Sequence, residues 1–296
     1  MSVEVVGLGA INVDELLHLP RMPEEDDSVP VERHERRGGG SAANTVCWLA
    51  HLGRRTGFVG KVGSDDLAEF ALREFEKYGV DTSRIVQGEG RTGVAYCLIS
   101  GSDRRILVDP GVNDELRVED VDLDYILEAE LLHTSSFIGL RTETSLETLL
   151  TVMREASGEI AVTFTPATMV LRGYSYLEPY LRAADVVFLN ETEAKQLTGS
   201  VEDTLNRLSR LTDIVVVTRG PEPALVRCGN ETLEVPPERV PEEEIVDPTG
   251  AGDAFAAGFI DGLLRGDPPD KCCERGHEVA RECLKVMGCR PGLDNR

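Results

Sequence analysis

The stretch VDPTGAGDAFAAGF, residues 246–259, sets an aspartate, Asp253, between a run of glycine and alanine and an apolar segment with helical spacing. Two readings compete. In one, the glycines make a turn and Asp253 caps the helix that follows, a task for which Asp is well suited. In the other, the amides of Gly250, Ala251 and Gly252 converge at a helix N-terminus, where unpaired N–H groups and the helix dipole attract an anion. A carboxylate there would compete with a phosphate, unless it takes a proton from a hydroxyl that attacks that phosphate. Small residues suit this reading because larger side chains would hold a phosphate away from the amides.

The surrounding chain supplies a frame for such a site. The runs VEVVGLG (3–9), TGFVGKVG (56–63), ELLHTSSFI (130–138), IAVTFTP (160–166), DVVFLN (185–190) and IVVVTRG (214–220) are short, β-branched and bounded by polar residues or glycine, as buried parallel strands are. Helical patterns lie between them at 41–52, 65–78, 145–156 and 192–196, with a long pair after Asp253. The alternation predicts an α/β fold, a doubly wound, mainly parallel sheet flanked by helices. Two intervals, 14–37 and 91–108, break it with strand-like patterns and no helix, and GSD at 101–103 signals a hairpin. They are expected to form a small β-sheet lid over a core of 1–13, 38–90 and 109–296. A water-excluding flap is a natural use for such an excursion.

Composition narrows the function. With 31 basic and 53 acidic residues the net charge is −22, which repels polyanions and argues against nucleic acid or an anionic membrane as partner. Such acidity would also suit a salt-rich cytoplasm. No segment has the apolar length of a membrane span. The opening MSVEVVGLGA has no basic region ahead of an apolar run, so it reads as a core strand, and a cytoplasmic location is expected. Seven scattered cysteines fit reduced thiols better than a disulfide framework. The group Cys272, Cys273, His277 and Cys283 lacks the CxxC spacing of a metal site.

Three further motifs bear on chemistry. GLGAIN, residues 7–12, approximates the dinucleotide fingerprint, but its sixth position is Asn and no helix pattern follows; the plainer reading is a strand end that packs tightly. Asn12 and Asp14 nevertheless lie where the first strand leaves the sheet, which is where open parallel sheets bind ligands. In RRGGGSAAN, residues 36–44, a glycine run enters a helix and Asn44 would face a ligand with a donor and an acceptor; alternatively, the run is a flexible loop with Ser41 as N-cap. In NETE, Asn190 and Glu193 sit at a strand-to-helix junction, either as a capping box or as oxygen groups for Mg²⁺.

Together these elements resemble the ribokinase-like sugar kinases, the PfkB family of carbohydrate kinases. DPTGAGDAFAAGF fits the family's C-terminal signature, and GGSAAN with Gly53 and Gly63 fits the N-terminal one, apart from Val46 where a smaller residue is usual. The resemblance implies an ATP- and Mg²⁺-dependent kinase acting on a hydroxymethyl group of a sugar or sugar-like substrate. In that frame Asp253 is the base and the amides of Gly250, Ala251 and Gly252 form the anion hole. Asn12, Asp14, Gly39, Gly40 and Asn44 match sugar contacts; Asn190 and Glu193 match the motif that organises Mg²⁺ and ATP phosphates. Thr218 and Gly220 match the start of the nucleotide loop, and His277 matches an adenine-side position. Asp247 and Thr249, with the backbone near Gly288 and Cys289, match a monovalent cation (K⁺) site.

The chain departs from the pattern at Ser41, where ribokinases carry lysine, at Pro223 in the nucleotide loop, and in HTSSF, which lacks an acidic ribose contact. Strict ribose specificity is therefore not expected. Lys61, Arg104, Arg105 and Arg219 are candidates for local positive charge around the phosphates, with a solvated surface role as the favoured reading of each. A nucleoside kinase is the nearest alternative; a nicotinamide-dependent dehydrogenase or a non-catalytic sugar or nucleotide sensor is more remote. The lid's strand edges could pair two copies into a homodimer.

Overall fold

The structure is a computed structural model and describes residues 2–101, 103–137, 139 and 142–292. In the large sheet, β1 (Val5–Leu8), β4 (Thr56–Val62), β5 (Asp81–Gln87), β8 (Leu131–Ser135), β9 (Ala161–Thr165), β10 (Val186–Asn190) and β11 (Ile214–Arg219) run parallel. β12 (Glu222–Cys228) and β13 (Glu231–Val235) extend it antiparallel beyond β11, giving the order β13-β12-β11-β10-β9-β8-β1-β4-β5. The second sheet has the order β3-β2-β6-β7, from β2 (Asn12–His18), β3 (Arg33–Gly39), β6 (Gly93–Ser100) and β7 (Asp103–Asp109).

The parallel strands inside the sheet are largely apolar because both faces are covered, whereas β5 at the edge is half exposed. Successive residues of β10 go to opposite cores: Val187 and Leu189 join one cluster, Val186 and Phe188 the other. The first cluster is closed by α4 (Thr144–Ala156), α5 (Tyr174–Leu181), α6 (Glu191–Thr198) and α7 (Val201–Leu208). The second is closed by α1 (Ser41–His51), α8 (Ala251–Arg265) and α9 (Pro269–Leu284). A third cluster packs α1 against α2 (Asp66–Glu76) beside β4, and α3 (Leu123–Leu127) lies near α4. This is the doubly wound arrangement expected from the alternation.

After β1 the chain passes through residues 9–11 directly into β2, so no helix follows GLGAIN. A Cβ on Gly7 would lie 2.5 Å from Val46 Cγ2 and 2.6 Å from a Phe58 ring carbon, which assigns that glycine to close strand–helix packing and leaves a dinucleotide site no helix to rest on. The lid strands start at Asn12 and end at Asp109, slightly outside the expected intervals. β6 and β7 form the expected hairpin, with Ser100 opposite Asp103; Ser102 lies outside the described residues. So does Ile138, the last residue of a run in which β8 already ends at Ser135. No described helix is long and apolar enough to cross a membrane.

Candidate active site

The start of α8 and the start of α1 meet at the carboxyl edge of the large sheet. Gly250 is the helix N-cap, left-handed at φ 80° and ψ −1°, and a Cβ there would lie 2.6 Å from Cys289 Cα, so glycine is required. Among the described residues no side chain caps α8. Asp253 instead turns toward α1, where its carboxylate accepts hydrogen bonds from Ser41 Oγ at 2.8 Å and Asn44 Nδ2 at 2.9 Å. The helix-cap reading of Asp253 therefore fails, as does that of Ser41: α1 is entered through Gly40, again without a side-chain cap.

The Ala251 N–H donates to Pro248 O at 3.3 Å, whereas among the described residues those of Gly250, Gly252 and Asp253 have no protein acceptor. Gly252 is exposed, and a Cβ there would meet nothing within 4 Å. Its backbone leaves room beside free donors at the positive end of a helix dipole. Burial pushes the half-buried Asp253 up to about 6; hydrogen bonds from Asn44 and Ser41 oppose the rise, and the charge of Glu193 adds to it.

A second carboxylate faces the same space from the lid. Asp14 on β2 is 8% exposed and lies against the backbone of Gly39, where a Cβ would come within 2.0 Å of Asp14 Oδ1. Burial pushes Asp14 up to about 7, against the pull of Arg290, and the Asp253 charge contributes to the rise. Arg290, buried and stacked 4.9 Å from the centre of the Phe75 ring, donates from Nε to Asn44 Oδ1 at 3.2 Å and from Nη2 to Gly39 O at 3.1 Å. Asn44 thus bridges Arg290 and Asp253. Asn12, opposite Gly39 in the β2–β3 ladder, accepts from Asn113 Nδ2 at 2.9 Å, and Asn113 also closes on the backbone of Ile11. The glycine run is therefore partly strand, since Gly38 and Gly39 belong to β3.

Asp247 is 3% exposed and its oxygens are taken. Oδ1 accepts from Thr249 Oγ1 at 2.6 Å, Thr249 N at 3.0 Å and Arg104 Nη1 at 2.9 Å; Oδ2 accepts from Gly288 N at 3.0 Å and Arg104 Nη2 at 3.4 Å. Burial works to raise its pKa, but the Thr249 and Gly288 hydrogen bonds and the charge of Arg104 carry it below the usual range. The carboxylate expected at a monovalent cation site is thus already engaged by a guanidinium. Arg104 reaches it from β7, so it is not a solvated surface charge.

Of the residues expected to meet the nucleotide, Asn190 and Thr218 are register partners at the carboxyl ends of β10 and β11. Asn190 and Glu193 form a reciprocal capping box at the start of α6, with both hydrogen bonds at 2.9 Å. That uses Asn190 Oδ1 and Glu193 Oε2 and leaves Glu193 Oε1 outside the box. Burial raises the Glu193 pKa. Among the described residues no group of three or more His, Cys, Asp or Glu side chains is arranged to hold a metal ion; Mg²⁺, which keeps most of its waters, asks for only one or two protein oxygens. Gly220 turns the chain from β11 into β12 at φ 60°. His277 packs edge-on against Phe255, with Nε2 2.9 Å from Val235 O, and burial lowers its pKa.

Of the residues gathered at the site, Arg290 is not legible in the sequence, Arg104 is legible only as a charge without its partner, and Asn113 is not legible at all. Their site partners are 246, 143 and 101 residues away, and none stands in a motif with local spacing. Lys61 and Arg219 are likewise engaged: Lys61 with Asp120 and Glu115 O, Arg219 with Pro223 O. Arg105 is exposed, as expected.

A family model described as pfkB family carbohydrate kinase matches residues 2–296. An ATP-dependent ribose-1-phosphate kinase from Halopiger xanaduensis is 35% identical over 295 residues, covering 98% of this chain and 93% of the relative. A cytidine kinase from Thermococcus kodakarensis is 30% identical over 302 residues, covering 97% and 98%. The crystal structure of a ribokinase from Thermotoga maritima superposes with a TM-score of 0.85 at 24% identity, covering 97% of this chain and 94% of that one, and shows the shared fold.

Proposed function

Because the chain belongs to the pfkB family of carbohydrate kinases, phosphotransferases acting on an alcohol group, we propose that it transfers the γ-phosphate of ATP to a hydroxymethyl group of a sugar or sugar-like substrate. The observation that carries this reading is the Asp253 carboxylate held by Ser41 and Asn44 beside the N–H groups of Gly252 and Asp253, which have no acceptor among the described residues. The side chain is thereby fixed as an acceptor, and the amides offer charge stabilisation in the next position along the helix start. Asp253 takes the hydroxyl proton; the freed oxygen bonds to the γ-phosphorus as the bond to the β–γ bridging oxygen breaks, and ADP leaves. The amides receive the charge on the transferred group.

Asp14, Asn12 and Asn44 hold the substrate's hydroxyls, with Arg290 fixing Asn44 and the Gly39 carbonyl. Glu193, with Oε1 outside the capping box, and Asn190 take the side of the nucleotide's phosphates. Mg²⁺ bound there would screen the charge between those phosphates. Thr218 and Gly220 begin the nucleotide loop. An ATP-dependent enzyme with free, largely buried thiols suits a cytoplasmic setting.

A nucleoside or a sugar phosphate is the second reading. Ile106, 53% exposed, lies two residues from Arg104 and so on the site-facing side of β7, where it offers an apolar contact that free ribose would not use. Ribose, ribose 1-phosphate, cytidine and adenosine, tested by ADP release, separate the readings. One of them should turn over, and Asp253→Asn should lower that turnover by about 10²–10⁴ while ATP binding persists. Full activity in Asp253→Asn would refute the assignment of the base.

A further inference from the structure

We propose that the guanidinium of Arg104 is a built-in replacement for the monovalent cation, so that this kinase works without K⁺ and depends on the lid for that charge. The stretch from Asp247 to Gly252 is both the expected cation site and the strand of backbone that carries the free amides. A cation bound there would need lone pairs of the Asp247 carboxylate. That carboxylate, with about four lone-pair positions, already accepts from Thr249 twice, from Gly288 and from both Arg104 Nη atoms. The Thr249 carbonyl, another oxygen available to a cation, has Cys283 Sγ at 3.4 Å. A second positive charge would also be repelled by the guanidinium already present.

The replacement has a consequence that a diffusible ion lacks. Asp247 and Gly288 belong to the core, whereas Arg104 belongs to the lid hairpin. The charge that neutralises Asp247, and through it steadies the backbone of residues 247–252, arrives only when the lid is down. Arg104 touches neither reacting atom; it is a positioning residue that couples closure to the order of the amide-bearing loop. With Arg104 gone, Asp247 would be a buried, uncompensated carboxylate with vacant lone pairs, the state that a monovalent cation would relieve.

The inference rests on reading the site as a phosphotransfer centre, and the test keeps the two apart. At equal ionic strength of about 100 mM, KCl is exchanged for choline chloride. Turnover of the intact protein should be the same in both. Arg104→Ala should lose about tenfold or more in kcat in choline and recover most of it in K⁺, and Arg104→Lys, which keeps the charge, should stay indifferent to the salt. Melting temperatures need no substrate. K⁺ should raise that of Arg104→Ala by about 2–4 °C over choline and leave the intact protein unmoved. If no candidate substrate turns over, the proposed function fails and the melting comparison still decides the role of Arg104. Several-fold stimulation of the intact protein by K⁺, a K⁺-induced shift in its melting, or an Arg104→Ala variant indifferent to K⁺ would overturn the proposal.

Discussion

Asp253 is asked to be a base in a place that disfavours its charge. Burial raises it to about 6 and Asp14 to about 7, from an ordinary value of 3.8. The folded chain therefore holds these protons at pH values where the unfolded chain has already released them. Their contribution to stability is fully present below about pH 4 and is lost as pH rises through 6 and 7. Asp253→Asn should accordingly melt about 2–4 °C above the parent at pH 8, with the gap closing near pH 5, even as it loses activity. The parent's kcat/KM should fall on the acid side with a midpoint near 6, as the base takes up its proton. A parent and variant that melt alike at both pH values would mean that Asp253 is not raised. This residue, Asp14 and the glycines beside them were legible in the sequence because each lies within a short motif whose spacing has a local meaning. Arg290 was not, since a lone arginine after the last helix carries no sign that it will return to Asn44.

Among the described elements, α8 and α9 form the most extensive helix–helix contact, and Gly258 shows how closely they approach. A Cβ there would lie 2.4 Å from the carbonyl oxygen of Arg275 in α9, a backbone atom that cannot rotate aside. Gly258→Ala should thus cost about 1–3 kcal/mol in urea unfolding despite the better helix propensity of alanine. Gly252→Ala, on the first turn of the same helix, meets no protein atom. It should match or exceed the parent in stability yet lose turnover, because its methyl occupies the approach to the free amides; equal turnover would show that no phosphate passes there. The buried parallel strands could be read ahead of the structure from their apolar, β-branched runs. β5, β12 and β13 could not: DTSRIVQ, EPALVRC and ETLEV lie at or near the sheet's two ends, half exposed and rich in charge, where no apolar pattern is enforced. The capping box of α6 shows the opposite limit, one pattern that fits a structural and a ligand-binding use at once.

For the molecule as a whole, a net charge of −22 adds self-repulsion to every folded arrangement. Raising NaCl from about 0.05 to about 1 M shortens the screening distance to about 3 Å, and the melting temperature should rise by several degrees regardless of which monovalent cation is used. A flat response would mean that the surface carboxylates are already paired. The lid sheet adds a mechanical consequence. Arg104 sits one residue from the far tip of the β6–β7 hairpin, while Asn12, Gly93 and Asp109 sit where its strands join the core. A seven-residue strand makes a lever about 20 Å long, so a swing of about ten degrees would carry the tip about 3–4 Å and pull the arginine from its carboxylate. Near the fulcrum, Asn12 and Asp14 would hardly travel, so an incoming sugar could be gripped at the pivot well before the tip engages.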